Sequence, residues 1–188
     1  MLLAVRRRQG RRPGAAKIAT GVMVVTVAEF RRLFAYQWWA RDRQLTVIAA
    51  LAPEDFTRPL RASFPSLRDH LVHIMEVESL WLQRAQGVTE PVRRKAAEFP
   101  TASSVQTRWT EVEAGVTALL DKLSDADLER IVTGQYTSGI PFLIPLGDLL
   151  LHASNHSTYH RGQVTTLLRQ LGATPPAVDL TVFLTGNG

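Results

Sequence analysis

The 188-residue chain has no cysteine. Disulfides, thiolate metal sites and a cysteine nucleophile are therefore excluded. The same absence fits the expected cytoplasmic location. No apolar run reaches the roughly 18–20 residues needed to cross a bilayer, so no membrane span is expected. Acids are missing from residues 1–22, which carry Arg6, Arg7, Arg8, Arg11, Arg12 and Lys17. Removing those six charges from the formal +5 leaves −1 for residues 23–188. The basicity thus belongs to the N-terminal segment, while the rest is nearly neutral. That segment has no long apolar h-region and makes a poor signal peptide. The expectation is a disordered basic extension over 1–22, with Met23 a plausible start, followed by one domain over 23–188. Binding of a nucleic acid or an anionic membrane by the tail is the less favoured alternative.

What is present is helical patterning. Thr26 and Glu29 have the spacing of a capping box. Phe30, Leu33, Phe34, Trp38, Leu45, Ile48 and Leu51 then recur at helical intervals up to Pro53. Ser66 and Asp69 cap a second helix whose stripe is Leu67, Leu71, Ile74, Val77 and Trp81, ended by Gly87. A polar, arginine-containing linker covers 88–100. A third helix is expected over about 103–123, with Val105, Trp109, Val112, Val116, Leu119 and Leu120 inward. Gly134, Gly139 and Pro141 among β-branched and aromatic residues mark 124–144 as a loop or short hairpin. A fourth helix runs over about 145–171 and is stopped by Gly172 and Pro175-Pro176. The rest is a short tail that packs back on the bundle. The fold class is all-α: an antiparallel four-helix bundle with a long connection before the last helix. Trp38 and Trp39 are expected to fill the core or a dimer face.

Histidine is scarce, with five in the chain, and all five fall on two of these helices. His152, His156 and His160 follow one another at intervals of four. Each step turns about 40° beyond a full circle and climbs about 6 Å. The whole ladder spans about 12 Å, too long for one ion with nitrogen bonds near 2.0–2.1 Å. At most two neighbours share an ion, as in HExxH helices, and a third ligand must come from another helix. His70 and His73 lie on the second helix. His73 sits among Leu71, Ile74 and Val77 beside the apolar stripe and is chosen as that ligand. His70, next to Asp69 near the helix start, is expected to be more exposed. A polar hydrogen-bonded core remains the alternative to a metal site. A paired ferritin-like di-metal site is less favoured, because no glutamate has a histidine three residues later.

NHSTYHRGQ, with LLH before it and LRQLG and PP after it, resembles the C-terminal signature of the DinB/YfiT-like family. FAYQWWARDR is similar to the family's first helix, and SFPSLRDHLVHIMEVESLWLQRAQG to its second. The resemblance covers residues 27–184. Tyr159 stands where many relatives have another histidine, while the HxxxH pair is kept. The resemblance implies a four-helix bundle, commonly a homodimer, with a divalent metal held by three histidines. Carried onto this chain, these are His73, His156 and His160.

Zinc or nickel is the favoured metal, with iron or manganese as alternatives, since nitrogen ligands alone do not choose. The implied activity is that of a metal-dependent hydrolase or a transferase using a low-molecular-weight thiol such as mycothiol, bacillithiol or glutathione. Its substrate would be a small molecule. A metal-binding bundle without catalysis is the alternative, followed by a nucleic-acid binder acting through the tail. His152 is a candidate neighbour of the metal ligands, and Asp148, one turn earlier, a candidate to orient it. Arg161 could attract an anionic substrate or pair with a surface acid. Asn155 and Gln163 are assigned to helix packing.

Overall fold

The computed structural model describes residues 25–136 and 139–186. The expected basic extension over 1–22 lies outside the described residues. Four long helices form the body: α1 (Val27–Ala49), α2 (Leu67–Ala85), α3 (Ala102–Leu120) and α4 (Leu146–Gln170). Their starts follow local chemistry. The Thr26 hydroxyl accepts from the Glu29 amide, and the Glu29 carboxylate accepts from Thr26 N–H at 2.7 Å. Ser66 accepts from the Asp69 amide, and Thr101 from the Ser104 amide. Each bond satisfies an N–H that the helix itself leaves without a partner.

The apolar stripes read from the sequence are mostly buried, with Leu33, Trp38, Leu51 and Leu119 half-buried against the core. Phe30, Phe34, Leu71, Ile74, Val105, Leu120, Leu149, Leu167 and Leu168 are all at most 3% exposed and share one core.

Helix directions follow from side-chain pairs. Gln37 donates to Ser154 and Gln44 to the Arg161 carbonyl, so α1 and α4 run parallel. Arg31 donates to the Leu120 carbonyl and Arg41 to Glu113, so α1 and α3 run antiparallel. His73 sits beside His156 and His160, while Trp81 sits beside His152, so α2 and α4 are antiparallel. Trp109 donates to Glu78, and a Cβ on Gly115 would lie 2.6 Å from Leu82, so α2 and α3 are parallel. The expected bundle is present. Each helix has one antiparallel and one parallel neighbour. A parallel step from α2 to α3 needs a return of about 28 Å, which residues 86–101 supply.

The segment between α3 and α4 is the hairpin alternative of the sequence reading. Strands β1 (Ile131–Gln135) and β2 (Pro141–Pro145) pair antiparallel, with Gly134 opposite Phe142. Val132 and Phe142 point inward. Phe142 packs on Trp81 with ring centroids 5.8 Å apart. Pro145 ends β2 and caps α4, so no linker separates strand from helix.

The tail folds back as α5 (Leu180–Thr185). Phe183 packs on Tyr36 and Trp39 of α1. Trp39 therefore has an intramolecular partner, and Trp38 donates to the buried Glu78. Among the described residues no helix is long and apolar enough to cross a membrane.

Candidate metal centre

The antiparallel α2/α4 pair brings three of the five histidines together. His73 Nε2 lies 3.1 Å from His156 Nε2 and 3.2 Å from His160 Nε2. The ring centroids of His156 and His160 are 4.4 Å apart. Among the described residues these form the one group of three or more His, Asp or Glu side chains close enough to share an ion. Metal–nitrogen bonds near 2.0–2.1 Å place ligand atoms about 3.3 Å apart at tetrahedral angles and about 2.9 Å apart at right angles. The observed spacing falls between the two.

Hydrogen bonding accounts poorly for this cluster without a cation. His160 Nδ1–H donates to the Gln163 amide oxygen at 2.8 Å, an atom that can only accept. His160 Nε2 therefore turns a lone pair towards the other two rings. His73 and His156 can supply N–H groups to that space only by giving up their own lone pairs. His156 Nδ1 is buried without a partner. The donor set fits one divalent metal ion.

The surroundings divide into a dry side and an open side. Phe64, from the α1–α2 connection, lies over His73 with centroids 4.2 Å apart and reaches His160 at 5.8 Å. On the other side, Trp81 presents an edge contact to His152 at 5.3 Å, and His152 stands 6.0 Å from His156. Asp148, Leu151, His152 and Asn155 line a groove of about 460 Å³. The hairpin supports this wall through Phe142 behind Trp81.

Several site assignments change. His70 is fully buried, contrary to its expected exposure. Only 60° separates it from His73 round the helix, so it also faces inward, and Phe64 covers it at 5.1 Å. Asp148 shares the groove with His152, but no hydrogen bond joins them. Arg161 is buried on the opposite flank of α4, over Tyr36, donating to Gln37 and Thr158. It neither faces the histidines nor pairs with a surface acid, because consecutive helical residues point in different directions.

Arg93, exposed on the α2–α3 linker, adds a small push to the lowering of the His73 and His156 pKa values. Its neighbours are pinned to α2: Gln83 holds both backbone groups of Val92, and Glu76 accepts from the Arg94 amide. Phe64 and Arg93 had no periodicity to mark them. Gln163 did have a signal, since it sits three residues after His160 on the same face.

Burial, then the charge of His160, pushes His73 down to about 4 and His156 down to about 3. Both rings are neutral at pH 7, the form that binds metal. The unfolded chain binds these protons near pH 6.5 and the folded chain does not. Stability contributed above pH 6.5 is therefore lost as pH falls towards 4. The denaturation midpoint of metal-free protein should drop between pH 7 and pH 5. A His156→Asn variant should drop less, and Arg93→Gln should raise both histidine pKa values, measurable by NMR titration.

The sequence model of the DinB family matches residues 23–187. The chain is 26% identical over 162 residues to "Protein DinB" of Bacillus subtilis, covering 81% of this chain and 92% of that protein. It is 24% identical over 144 residues to the uncharacterized protein YizA of the same organism, covering 77% and 89%. Among solved structures, a DinB-like protein from Bacillus cereus superposes with a TM-score of 0.63 at 24% identity, covering 84% of this chain and all of that one. The colibactin self-resistance protein ClbS, crystallised with double-stranded DNA, superposes with a TM-score of 0.55 at 14% identity, covering 77% and 96%. With the family match spanning all of the described residues, the chain belongs to the DinB family.

Proposed function

We propose that the protein binds one divalent metal ion through His73, His156 and His160 and is a metal-dependent enzyme of the thiol-transferase or hydrolase kind. The observation that carries this reading is the convergence of three Nε2 atoms from two helices, 3.1–3.2 Å apart about His73. Held by three neutral imidazoles, such an ion keeps its full charge and supplies Lewis acidity to a thiol, carbonyl or water.

The rest is done by side chains of this chain. Gln163 orients His160, and Phe64 shields the ligands from water on one side. Trp81 and His152 shape the open side, where His152 and Asp148 are candidates to touch substrate. Arg93 adds positive charge near the ligands. It favours a small substrate, or a low-molecular-weight thiol, that carries a carboxylate. A homodimeric state, carried over from the family resemblance, and a cytoplasmic location, which the absence of cysteine fits, belong to the same reading.

Elemental analysis after metal-replete purification tests the first step, with about one ion per chain expected. A stoichiometry near zero sinks the proposal. A panel of thiols and hydrolysable small molecules, assayed on the metal-loaded protein, tests the second. Bound metal with no turnover across the panel would favour the non-catalytic bundle instead. The DNA in the ClbS complex is a partner of that protein. The basic residues that could serve a similar role here, within 1–22, lie outside the described residues.

A further inference from the structure

Two glutamines of α1, seven residues apart, make the same contact with α4. Gln37 donates through its amide nitrogen to Ser154 Oγ at 2.8 Å and to Thr158 Oγ1 at 3.1 Å. Gln44 donates in the same way to the Arg161 carbonyl at 3.0 Å and to Thr165 Oγ1 at 3.1 Å. The partners also advance by seven, from Ser154 to Arg161 and from Thr158 to Thr165. The Arg161 side chain joins the first contact, donating to Gln37 Oε1 and to Thr158 Oγ1. Gln37, Gln44 and Arg161 are all at most 3% exposed.

Neither amide can be turned over. A guanidinium only donates, so Gln37 must offer it the oxygen. A carbonyl only accepts, so Gln44 must offer Arg161 an N–H. That leaves Gln44 Oε1 buried without a donor, which an apolar seam would avoid. What buried polar groups between parallel helices give in return is register.

The register matters to the histidines. Ser154, Thr158, Arg161 and Thr165 fall within about 60° of one another round α4. His156 and His160 lie roughly 200° away, on the side that meets α2. At a side-chain radius of about 6 Å, turning α4 by about 10° moves a ring nitrogen by about 1 Å. Metal–ligand distances are held to about 0.2 Å. Apolar contacts are non-directional and do not fix so small an angle. We infer that the two glutamine contacts set the rotation and axial register of α4 and so aim His156 and His160 at His73. Gln37, Gln44 and Arg161 are positioning residues in this arrangement.

This role rests on the three-histidine reading, and it is separable from plain stabilisation. Gln44→Leu removes the buried orphan oxygen along with the donor, while the Arg161 carbonyl keeps the Thr165 hydroxyl at 3.1 Å. Its denaturation midpoint without metal should equal or exceed that of wild type. Its zinc affinity should still fall about 10–100-fold, the usual loss when a group behind a ligand is removed. Gln37→Leu should lose affinity and stability together, because it strips buried Arg161 of an acceptor. Gln37→Glu should bind zinc as wild type does, since a carboxylate accepts from Arg161 and the Ser154 hydroxyl can turn to donate.

A readout without metal comes from nuclear Overhauser contacts between the His73 and His160 rings, whose centroids are 4.5 Å apart. These contacts should be strong in wild type and weaker in Gln44→Leu. Wild-type zinc affinity in Gln44→Leu would overturn the inference. So would a fall in its affinity matched by an equal fall in stability, because looser packing would then explain both. A wild type that binds no zinc refutes the metal proposal. The ring contacts then decide this one, and their persistence at full strength in Gln44→Leu overturns it.

Discussion

His160→Ala is expected to abolish stoichiometric metal binding while leaving the helical bundle folded. Structural zinc sites yield about 10–16 kcal/mol in total, so one of four ligands accounts for roughly 3–4 kcal/mol, or about a thousandfold in affinity. The loss should be at the upper end here, because His160 is the ligand whose far nitrogen is held by Gln163. The measurements are metal content after dialysis and the thermal midpoint with and without zinc. Wild type at a thousand times its Kd should gain about 4 kcal/mol from the ion, and the variant almost nothing. His73→Ala and His156→Ala should behave alike, since each removes one of three. His152→Ala should keep its metal, because its ring stands 6.0 Å from His156 on the groove side. A His160→Ala protein that retains a full equivalent of metal would place the ion elsewhere. Survival of the helical circular dichroism separates loss of the ligand from loss of the fold.

The parts of this protein that were legible in its sequence are those decided within one or two helical turns. Thr26 with Glu29 and Ser66 with Asp69 announced two helix starts, because a cap and its partner lie within four residues. His156 and His160 announced a shared face for the same reason. His73 could be chosen over His70 as the partner from its apolar neighbours. The same logic misplaced His70, since burial of the first turn of α2 depends on Phe64 in a preceding loop and on α4 across the bundle.

Arg161 shows the reverse error. It is next to His160 in sequence and points to Tyr36 on another helix. A helical wheel separates the two by 100°, enough to turn Arg161 away from the histidine face. The parallel runs of α1 with α4 and α2 with α3 were not readable at all. They depend on which of several apolar stripes pair, and on a polar linker long enough to return the chain from the end of α2 to the start of α3.

Glu78→Ala should destabilise the fold by about 3–5 kcal/mol, with no loss of metal. Glu78 is 4% exposed in the interior between α1, α2 and α3. Its carboxylate accepts from Trp38 Nε1 at 3.0 Å and from Trp109 Nε1 at 3.1 Å, one indole from each flanking helix. Burial pushes its pKa up, while the two indoles and the charges of Arg41 and Arg161 oppose that shift. Alanine removes the acceptor, strands the buried Trp109 N–H at about 1–3 kcal/mol and the half-buried Trp38 N–H at less, and leaves a cavity. Glu78→Gln keeps the volume and one acceptor oxygen, so it should cost less than Glu78→Ala, by roughly half.

The site is insulated from this change, because Glu78 and His73 are five residues apart and about 140° apart round α2. Denaturant titration of metal-free protein should place the midpoint of Glu78→Ala well below that of wild type, while zinc stoichiometry at low temperature stays the same. With His160→Ala, the pair forms a double dissociation: one variant folds without holding metal, the other holds metal in a weakened fold. A Glu78→Ala protein as stable as wild type would mean that the indoles find other acceptors. The carboxylate would then have no structural reason to be buried there.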